Sequence, residues 1–353
     1  MSRFLSSRFA GMEVYAPGEQ PTDQQYVKLN TNESPYPPSP GVFERLGRLE
    51  IGRLNLYPDP TAGHLKQALA RLYGMERENV FVSNGSDETL NFAFLAFCDG
   101  ERKVAYPAVS YGFYPVYARL YGLDALEIPL KEDFSIDPAD YHNLGRNIVI
   151  ANPNAPTGLA LSVPQIEEIV RTNPDHVVLI DEAYVDFGAE SCLNLVPKYD
   201  NLLVVRTYSK SRSMAGARLG FAFAQPELIE DLERMKYSPN PYNLNRLTMA
   251  AGEAAVDDDD YYQAKCRDII ITREMAVRDL AGLGFRLTDS KANFLFARHP
   301  DMGGKALYQG LKDRGVLARH FDKPGISDYL RVTVGTPEQM NRLVAALKDI
   351  LGQ

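Results

Sequence analysis

"LLVVRTYSKSRSMAGARLGFAFA", Leu202 to Ala224, holds two apolar runs, and the nine residues from Lys210 to Arg218 separate "LLVVRTYS" from "LGFAFA". Both runs read as buried strands. A parallel crossover needs on the order of a dozen residues or more, so these two strands are expected to run antiparallel. Working outward, "NVFVS" (79–83), "KVAYP" (103–107), "NIVIA" (147–151) and "HVVLID" (176–181) read as further buried strands. Helical patterns lie between several of them, such as "DETLNFAFLAFC" (87–98) and "SVPQIEEIVRTN" (162–173). The second opens on Ser162 with Pro164 in its first turn, a good helix start. Strands alternating with helices predict a mostly parallel sheet covered on both faces, mixed at the Leu202–Ala224 pair.

The pattern changes near residue 240. "DDDDYYQAKCRDIIITREMAVRDLAGLG" (257–284) reads as one long helix with aspartates at its start and a glycine stop. The aspartate run is better explained by the helix start than by a metal, and no metal is expected. After it come "FRLTDS", "NFLFARH", a helix from about Gly303 to Arg314, "VLARHF", "YLRVTVGT" and the helix "PEQMNRLVAALKDIL". This ββαββα order predicts a smaller α+β C-terminal domain. The expected division is an N-terminal arm over 1–35, a large domain over 36–245 and a small domain over 246–353, with room for the arm to pack on the small domain. The helix "GVFERLGRL" (41–49) opens the large one.

Composition narrows the function. The chain has 353 residues, 45% of them hydrophobic, which suits one large core and a second smaller one. A net charge of −8 makes it a poor general binder of nucleic acid. No apolar stretch reaches ~18 residues, so no membrane span is expected. The stretch 1–20 lacks the apolar centre and small-residue cleavage site of a signal peptide. The three cysteines, Cys98, Cys192 and Cys266, are far apart and not in a CxxC. They read as small buried hydrophobes in a reducing cytosol. A cytoplasmic location follows as an expectation.

Polar clusters follow the strands. "NGSDETL" comes after the first, then "AVSYGFY", "NPNAPTG", "DEAYVDF" and "YSKSRS". In a parallel sheet these loops emerge together at the carboxyl ends, where open α/β sheets bind ligands. Lys210 therefore has Asp181, Tyr184, Tyr111, an asparagine of "NPNAPTG", Ser209 and Arg218 for company. A lysine at the end of a buried strand is costly unless it is paired or used. An amine, a carboxylate, an aromatic face and an anion site suit pyridoxal phosphate. Its aldehyde takes a lysine as a Schiff base, and its ring nitrogen wants an acidic partner. Its phosphate wants N–H groups at a helix start and an arginine fork. "GSDETL", directly after a strand, can supply those N–H groups.

Each motif alone has a blander reading as a turn, a strand end or core. Together and in this order they resemble the fold-type I aminotransferases dependent on pyridoxal phosphate, and within them the histidinol-phosphate aminotransferases. "YAPGEQ", "LNTNESPYPP", "LYPDP", "SNGSDETL", "YPAVSYGFY", "NPNAPTG", "DEAYVDF", "RTYSKSRSMAGARLGF", "ANFLFAR" and "LRVTVGT" carry the resemblance across almost the whole chain. It implies the aspartate-aminotransferase-like fold, with a mixed seven-stranded sheet. It implies Lys210 as the Schiff-base lysine and proton shuttle, Asp181 at the ring nitrogen, Tyr184 at the 3′ oxygen and Tyr111 stacked on the ring. Ser86, Asp87, Ser209 and Arg218 are implied around the phosphate, with Tyr57 reaching it from the partner of a homodimer with shared sites. Arg331 would hold the substrate's anionic end, and Tyr15 and Asn32 would help close the pocket.

The chain departs from the family's usual "NNPTG" at one place: Ala155 replaces the second asparagine, which bonds the 3′ oxygen. Either Asn152 or Asn154 takes over, or that bond is missing. Arg212 of "SKSRS" is a candidate extra cation, and a solvated surface arginine is the competing reading. The implied reaction moves an amino group from glutamate to imidazole acetol phosphate, forming histidinol phosphate. An aromatic amino-acid transaminase, a threonine-phosphate decarboxylase of the same branch, and a cofactor-binding regulator without catalysis are the competing readings.

Overall fold

The computed structural model describes Leu5, Phe9, Tyr15 and residues 17–353. Most of the stretch considered as a leader, and the first part of the expected arm, therefore lie outside the described residues. The strands are β1 (Val27–Lys28), β2 (Val80–Ser83), β3 (Val104–Pro107), β4 (Ala125–Ile128), β5 (Asn147–Ala151), β6 (Val178–Asp181), β7 (Leu202–Thr207), β8 (Gly220–Phe223), β9 (Arg286–Leu287), β10 (Phe294–Arg298), β11 (Val316–Leu317), β12 (Arg319–His320) and β13 (Leu330–Thr333). The helices are α1 (Pro40–Arg45), α2 (Arg48–Ile51), α3 (Gly63–Tyr73), α4 (Ser86–Phe97), α5 (Tyr114–Tyr121), α6 (Val163–Arg171), α7 (Pro226–Tyr237), α8 (Arg246–Asp257), α9 (Asp259–Gly282), α10 (Gly304–Asp313) and α11 (Pro337–Leu351).

Seven strands form one sheet in the order β2-β8-β7-β6-β5-β3-β4. β8 is antiparallel to both of its neighbours, pairing Thr207 with Gly220 and Ser83 with Gly220. The other pairs are parallel. The one reversed strand is thus the expected one, reached by a connection, 208–219, that holds only a single short helical turn, Ala215–Ala217. Every residue of β2, β3, β5, β6, β7 and β8 is buried, because both faces are covered. Val80, Val82, Ile148, Ile150, Val178, Ile180 and Val204 face α3, α6 and α8. Phe81, Val149, Leu179, Leu203 and Val205 face α4, α5 and α7 on the other side. Helix α6 starts as its sequence suggests: Ser162 and Gln165 form a capping box, and the Ser162 N–H donates to Gln165 Oε1 at 2.9 Å.

A second core gathers α10, α11, β10, β13 and the later part of α9. A four-stranded antiparallel sheet, β12-β13-β10-β9, backs it. Residues of the expected arm join this core: Leu29 is buried in it, and β1 pairs with β11 in parallel. The expected boundary at 245/246 is corrected by the packing. Met249, Ala251, Ala254, Ala255 and Tyr262 belong to the large sheet's core, and the second core takes over from Cys266.

Three local expectations also change. "GVFERLGRL" is two short helices, α1 and α2, parted at Leu46–Gly47. "VLARHF" is split between β11 and β12, which lie in different sheets. The aspartate run closes α8 and opens α9 instead of starting one helix. Its charges dock other elements, since Asp258 Oδ2 accepts the Gly41 N–H at 2.9 Å and Asp259 pairs with Arg212. Among the described residues no helix is long and apolar enough to cross a membrane.

Candidate active site

Six of the seven strands point the same way, and the loops at their carboxyl ends enclose a cavity of about 340 Å³. Ser86, Asp87, Tyr111, Asp181, Tyr184, Ser209, Lys210 and Arg218 all line it. The structure therefore brings together most of the residues singled out from sequence. Lys210 lies three residues past β7, with its Nζ donating to the Thr31 carbonyl at 3.3 Å rather than to a carboxylate. The same nitrogen stands 5.7 Å from the centre of the Tyr184 ring.

Asp181 ends β6 and is buried. Its Oδ2 accepts from the Tyr114 hydroxyl and its Oδ1 from the Ala183 N–H, each at 3.1 Å. Burial pushes its pKa up to about 6, and the charges of Asp87 and Glu182 push the same way, while the two donors hold it down. A buried carboxylate with neutral donors and like charges around it is matched by a cationic N–H.

Helix α4 is preceded by Gly85, at φ 84°, with no side-chain cap on its first-turn N–H groups, and Ser86 and Asp87 of that turn line the cavity. The glycines on either side permit a close approach. A Cβ on Gly85 would lie 2.5 Å from Arg218 Nη2, and one on Gly220 would lie 2.3 Å from the Ser86 nitrogen. Arg218 adopts the left-handed region at φ 55° to reach this point. Its Nη2 pairs with Asp87 Oδ2 at 3.2 Å, and the Tyr111 hydroxyl donates to Asp87 Oδ1 at 2.7 Å. Asp87 thus orients Tyr111 and Arg218, with both carboxylate oxygens engaged. Burial, with Asp87 beside it, keeps Tyr111 a neutral phenol.

Other expected residues lie elsewhere. Asn152 turns away into the following loop, where its Oδ1 accepts the Leu161 N–H at 2.7 Å. Asn154 is occupied by Ser110, Val109 and Thr157. Ala155 lines the cavity instead, so neither asparagine replaces the missing amide. Arg212 is neither a cavity residue nor a surface one: it is buried, pairs with Asp259, and lies over the Tyr262 ring. Asn32 is buried behind the cavity wall and gives its Nδ2 to the Tyr184 hydroxyl at 3.0 Å. Tyr57 is 78% exposed, stacked on Tyr242, and stands apart from this chain's cavity.

A second cavity, about 260 Å³, shares Tyr111 and Ala155 as a wall with the first. Tyr15, Ser110, Phe321, Lys323 and Arg331 also line it. The Arg331 guanidinium is partly buried against the rings of Phe294 and Phe321, and among the described residues its Nη2 donates to the Asn30 carbonyl at 3.2 Å. Its Nε has no partner. Burial lowers its pKa, with the neighbouring tyrosines opposing that shift and Arg319 adding to it. A partly buried guanidinium with no carboxylate partner among the described residues suits an anion.

The sequence model of class I and II aminotransferases matches residues 24–347. The chain belongs to this family. This aminotransferase is 50% identical over 353 residues to the histidinol-phosphate aminotransferase of Marinomonas sp. (strain MWYL1), covering 99% of this chain and 100% of that one. Its fold is shared with a crystal structure of the Sinorhizobium meliloti histidinol-phosphate aminotransferase in complex with pyridoxal-5′-phosphate. That match has a TM-score of 0.85 at 23% identity, over 93% of this chain and 92% of the other. A Thermus thermophilus aspartate aminotransferase tetra mutant gives a TM-score of 0.82 at 19% identity, covering 99% and 100%. The seven-stranded, aspartate-aminotransferase-like architecture is therefore the one present. The aminotransferase depends on pyridoxal phosphate, and its residues fit that group: among the described residues Asp181 has no cationic partner and Lys210 no paired carboxylate, and a helix start without a side-chain cap lies beside Arg218. Thr31, Glu33 and Tyr114, which sequence reasoning did not single out, complete the surroundings. Tyr114 lies three residues after Tyr111 across one turn, with its N–H donating to the Tyr111 carbonyl at 3.2 Å, and that spacing is the signal that could have found it.

Proposed function

We propose that this aminotransferase moves an amino group between glutamate/2-oxoglutarate and imidazole acetol phosphate/histidinol phosphate, in histidine biosynthesis. The observation that carries the reading is the partly buried Arg331 guanidinium, its Nε unpartnered and no carboxylate paired with it among the described residues, in a cavity that shares a wall with the Lys210 cavity. Glutamate presents a carboxylate there and histidinol phosphate a phosphate, and a planar fork accepts either. The names of the 50% identical relatives support the same substrate.

Pyridoxal phosphate, when bound, supplies an aldehyde that takes an amine and a ring that draws electrons from the carbon bearing it. The chain's own residues hold and aim the rest. Lys210 anchors the group through Nζ and, once released, takes the proton from the substrate carbon and returns it. Asp181 holds a proton at the ring nitrogen. Tyr184 donates to the phenolic oxygen, and Tyr111 covers the ring. Ser86, Ser209, Arg218 and the α4 N–H groups bind the phosphate, with Asp87 orienting Arg218. Arg331 and Tyr15 bind and enclose the substrate.

A cytoplasmic homodimer completes the reading. Tyr57, with the exposed Leu54 and Leu56 near it, offers an apolar surface to a second copy, whose phosphate site Tyr57 would reach. A half-reaction screen tests the substrate. Single donors are added to the holoenzyme without an acceptor, and loss of the visible band is followed. Glutamate and histidinol phosphate should both discharge it. Discharge by aromatic amino acids alone, or carbon dioxide from threonine phosphate, would overturn the proposal.

A further inference from the structure

With Ala155 at the cavity wall, the phenolic oxygen of the cofactor is left to Tyr184. A phenol has one proton, and its direction decides whether Tyr184 serves the cavity or the protein. A chain of buried groups settles that direction. The Asn32 backbone N–H donates to Thr333 Oγ1 at 2.9 Å, filling one of its two acceptor sites. The Thr333 hydroxyl proton then goes to Asn32 Oδ1 at 3.1 Å. The Asn32 amide is thereby oriented with Nδ2 toward Tyr184, 3.0 Å from its oxygen. Asn293 Nδ2 clamps the Asn32 carbonyl at 3.1 Å. Because the Tyr184 oxygen accepts from Asn32, its own proton is free for the cavity. The reverse amide orientation would point that proton back at the Asn32 oxygen and leave the Thr333 hydroxyl proton without the Oδ1 acceptor.

We infer that Asn32 and Thr333 are positioning residues that make Tyr184 the sole oriented donor to the cofactor's phenolic oxygen, in place of the carboxamide that position 155 lacks. Thr333 lies two residues beyond Arg331 on β13, so the strand that holds the anion receptor also holds this relay. The inference rests on the proposed placement of the cofactor on Lys210 and beside Tyr184. Around Tyr184 stand Lys210, Arg331, Tyr15, Tyr111 and Tyr114, with Asp87 and Asp181 behind the last two. None of these is altered in the variants below.

A donor to the phenolic oxygen draws charge from it and weakens its hold on the proton at the neighbouring lysine nitrogen. Losing the oriented donor should raise the pH midpoint of the holoenzyme's visible absorption band. The test is a spectrophotometric pH titration of wild type, Asn32→Ala, Thr333→Val and Thr333→Ser, with melting of each apoprotein as a check on folding. The first two variants should move the midpoint up by roughly half to one pH unit, the worth of one neutral hydrogen bond. Thr333→Ser should restore it. Ala155→Asn, which leaves the relay untouched, should lower the midpoint by adding a second donor. Unchanged midpoints in Asn32→Ala and Thr333→Val overturn the relay. If neither folds, an unchanged midpoint in Ala155→Asn overturns the claim of a sole donor. A wild-type holoenzyme with no visible band would instead overturn the Lys210 placement.

Discussion

Replacing Arg331 by methionine separates an anion receptor from a structural arginine. Two terms act on the stability of the ligand-free protein. The substitution removes one hydrogen bond from a charged group, Nη2 to the Asn30 carbonyl at 3.2 Å, worth about 1.5–3 kcal/mol. It also removes a buried Nε without a partner, which costs the folded state about 1–3 kcal/mol. The terms nearly cancel, and methionine keeps the packing between Phe294 and Phe321. Arg331→Met should therefore change stability by no more than about 1 kcal/mol, whereas breaking a buried ion pair costs about 3–5 kcal/mol. Kinetics should respond quite differently. One charge-assisted contact to the substrate is worth about 1.5–3 kcal/mol, so kcat/KM for glutamate and for histidinol phosphate should each fall roughly ten- to a hundredfold. Arg331→Lys should recover only part, because an ammonium cannot form the fork. Urea unfolding of the apoprotein and steady-state kinetics with both substrates read the two effects. Unchanged kinetics together with a stability loss near 3 kcal/mol would refute the receptor argument.

The buried carboxylate of Asp181 predicts a pH signature in the apoprotein. Its pKa is raised to about 6, so the folded state holds its proton more tightly than the unfolded chain. Stability from this group is then present at acid pH and lost as pH rises from about 4 to 6, by roughly 3 kcal/mol; apo Asp181→Asn should lack that decline, and identical pH profiles for both proteins would contradict it. In the holoenzyme, Asp181→Ala should retain little turnover, since the ring nitrogen loses its acidic partner. The Arg206–Glu182 pair, at 3.0 Å with side chains 6% and 0% exposed, lies behind the site. Glu182→Ala leaves Arg206 buried with only Asp186, at 3.4 Å, and a tyrosine hydroxyl, so unfolding free energy should drop by about 3–5 kcal/mol in denaturant titration. Mixing Tyr57→Ala with Lys210→Ala subunits should regain activity, provided each variant alone is impaired; none regained after demonstrated subunit exchange would argue against a shared site.

Much of the fold was legible because buried parallel strands announce themselves. Val178–Asp181 and Leu202–Thr207 are apolar enough to stand out, and the Lys210–Arg218 connection is too short for a crossover. Strand β4 was not legible: it lies at the sheet edge, and its residues, apart from Ile128, are partly or well exposed. The α8–α9 junction was missed because the aspartates read as a single charged helix start. Their partners, Gly41 and Arg212, are far off in sequence. The site was legible where each residue ends a strand or lies within three residues of its end, as Asp181, Ser209 and Lys210 do. It was not where one side chain must choose between neighbours. Nothing local to "NPNAPTG" says that Asn152 bonds Leu161, and nothing near Arg212 names Asp259. The Asn32 contact with Tyr184 spans 152 positions, a pairing that only the packing of the arm against β13 creates.

The most direct measurement is borohydride reduction of the purified holoenzyme, followed by peptide mass mapping. The visible band should vanish, and the added cofactor mass should fall on the peptide that contains Lys210. Lys210→Ala should lose turnover by many orders of magnitude and carry no label. A label on any other lysine, or none on a holoenzyme that turns over, would contradict the account.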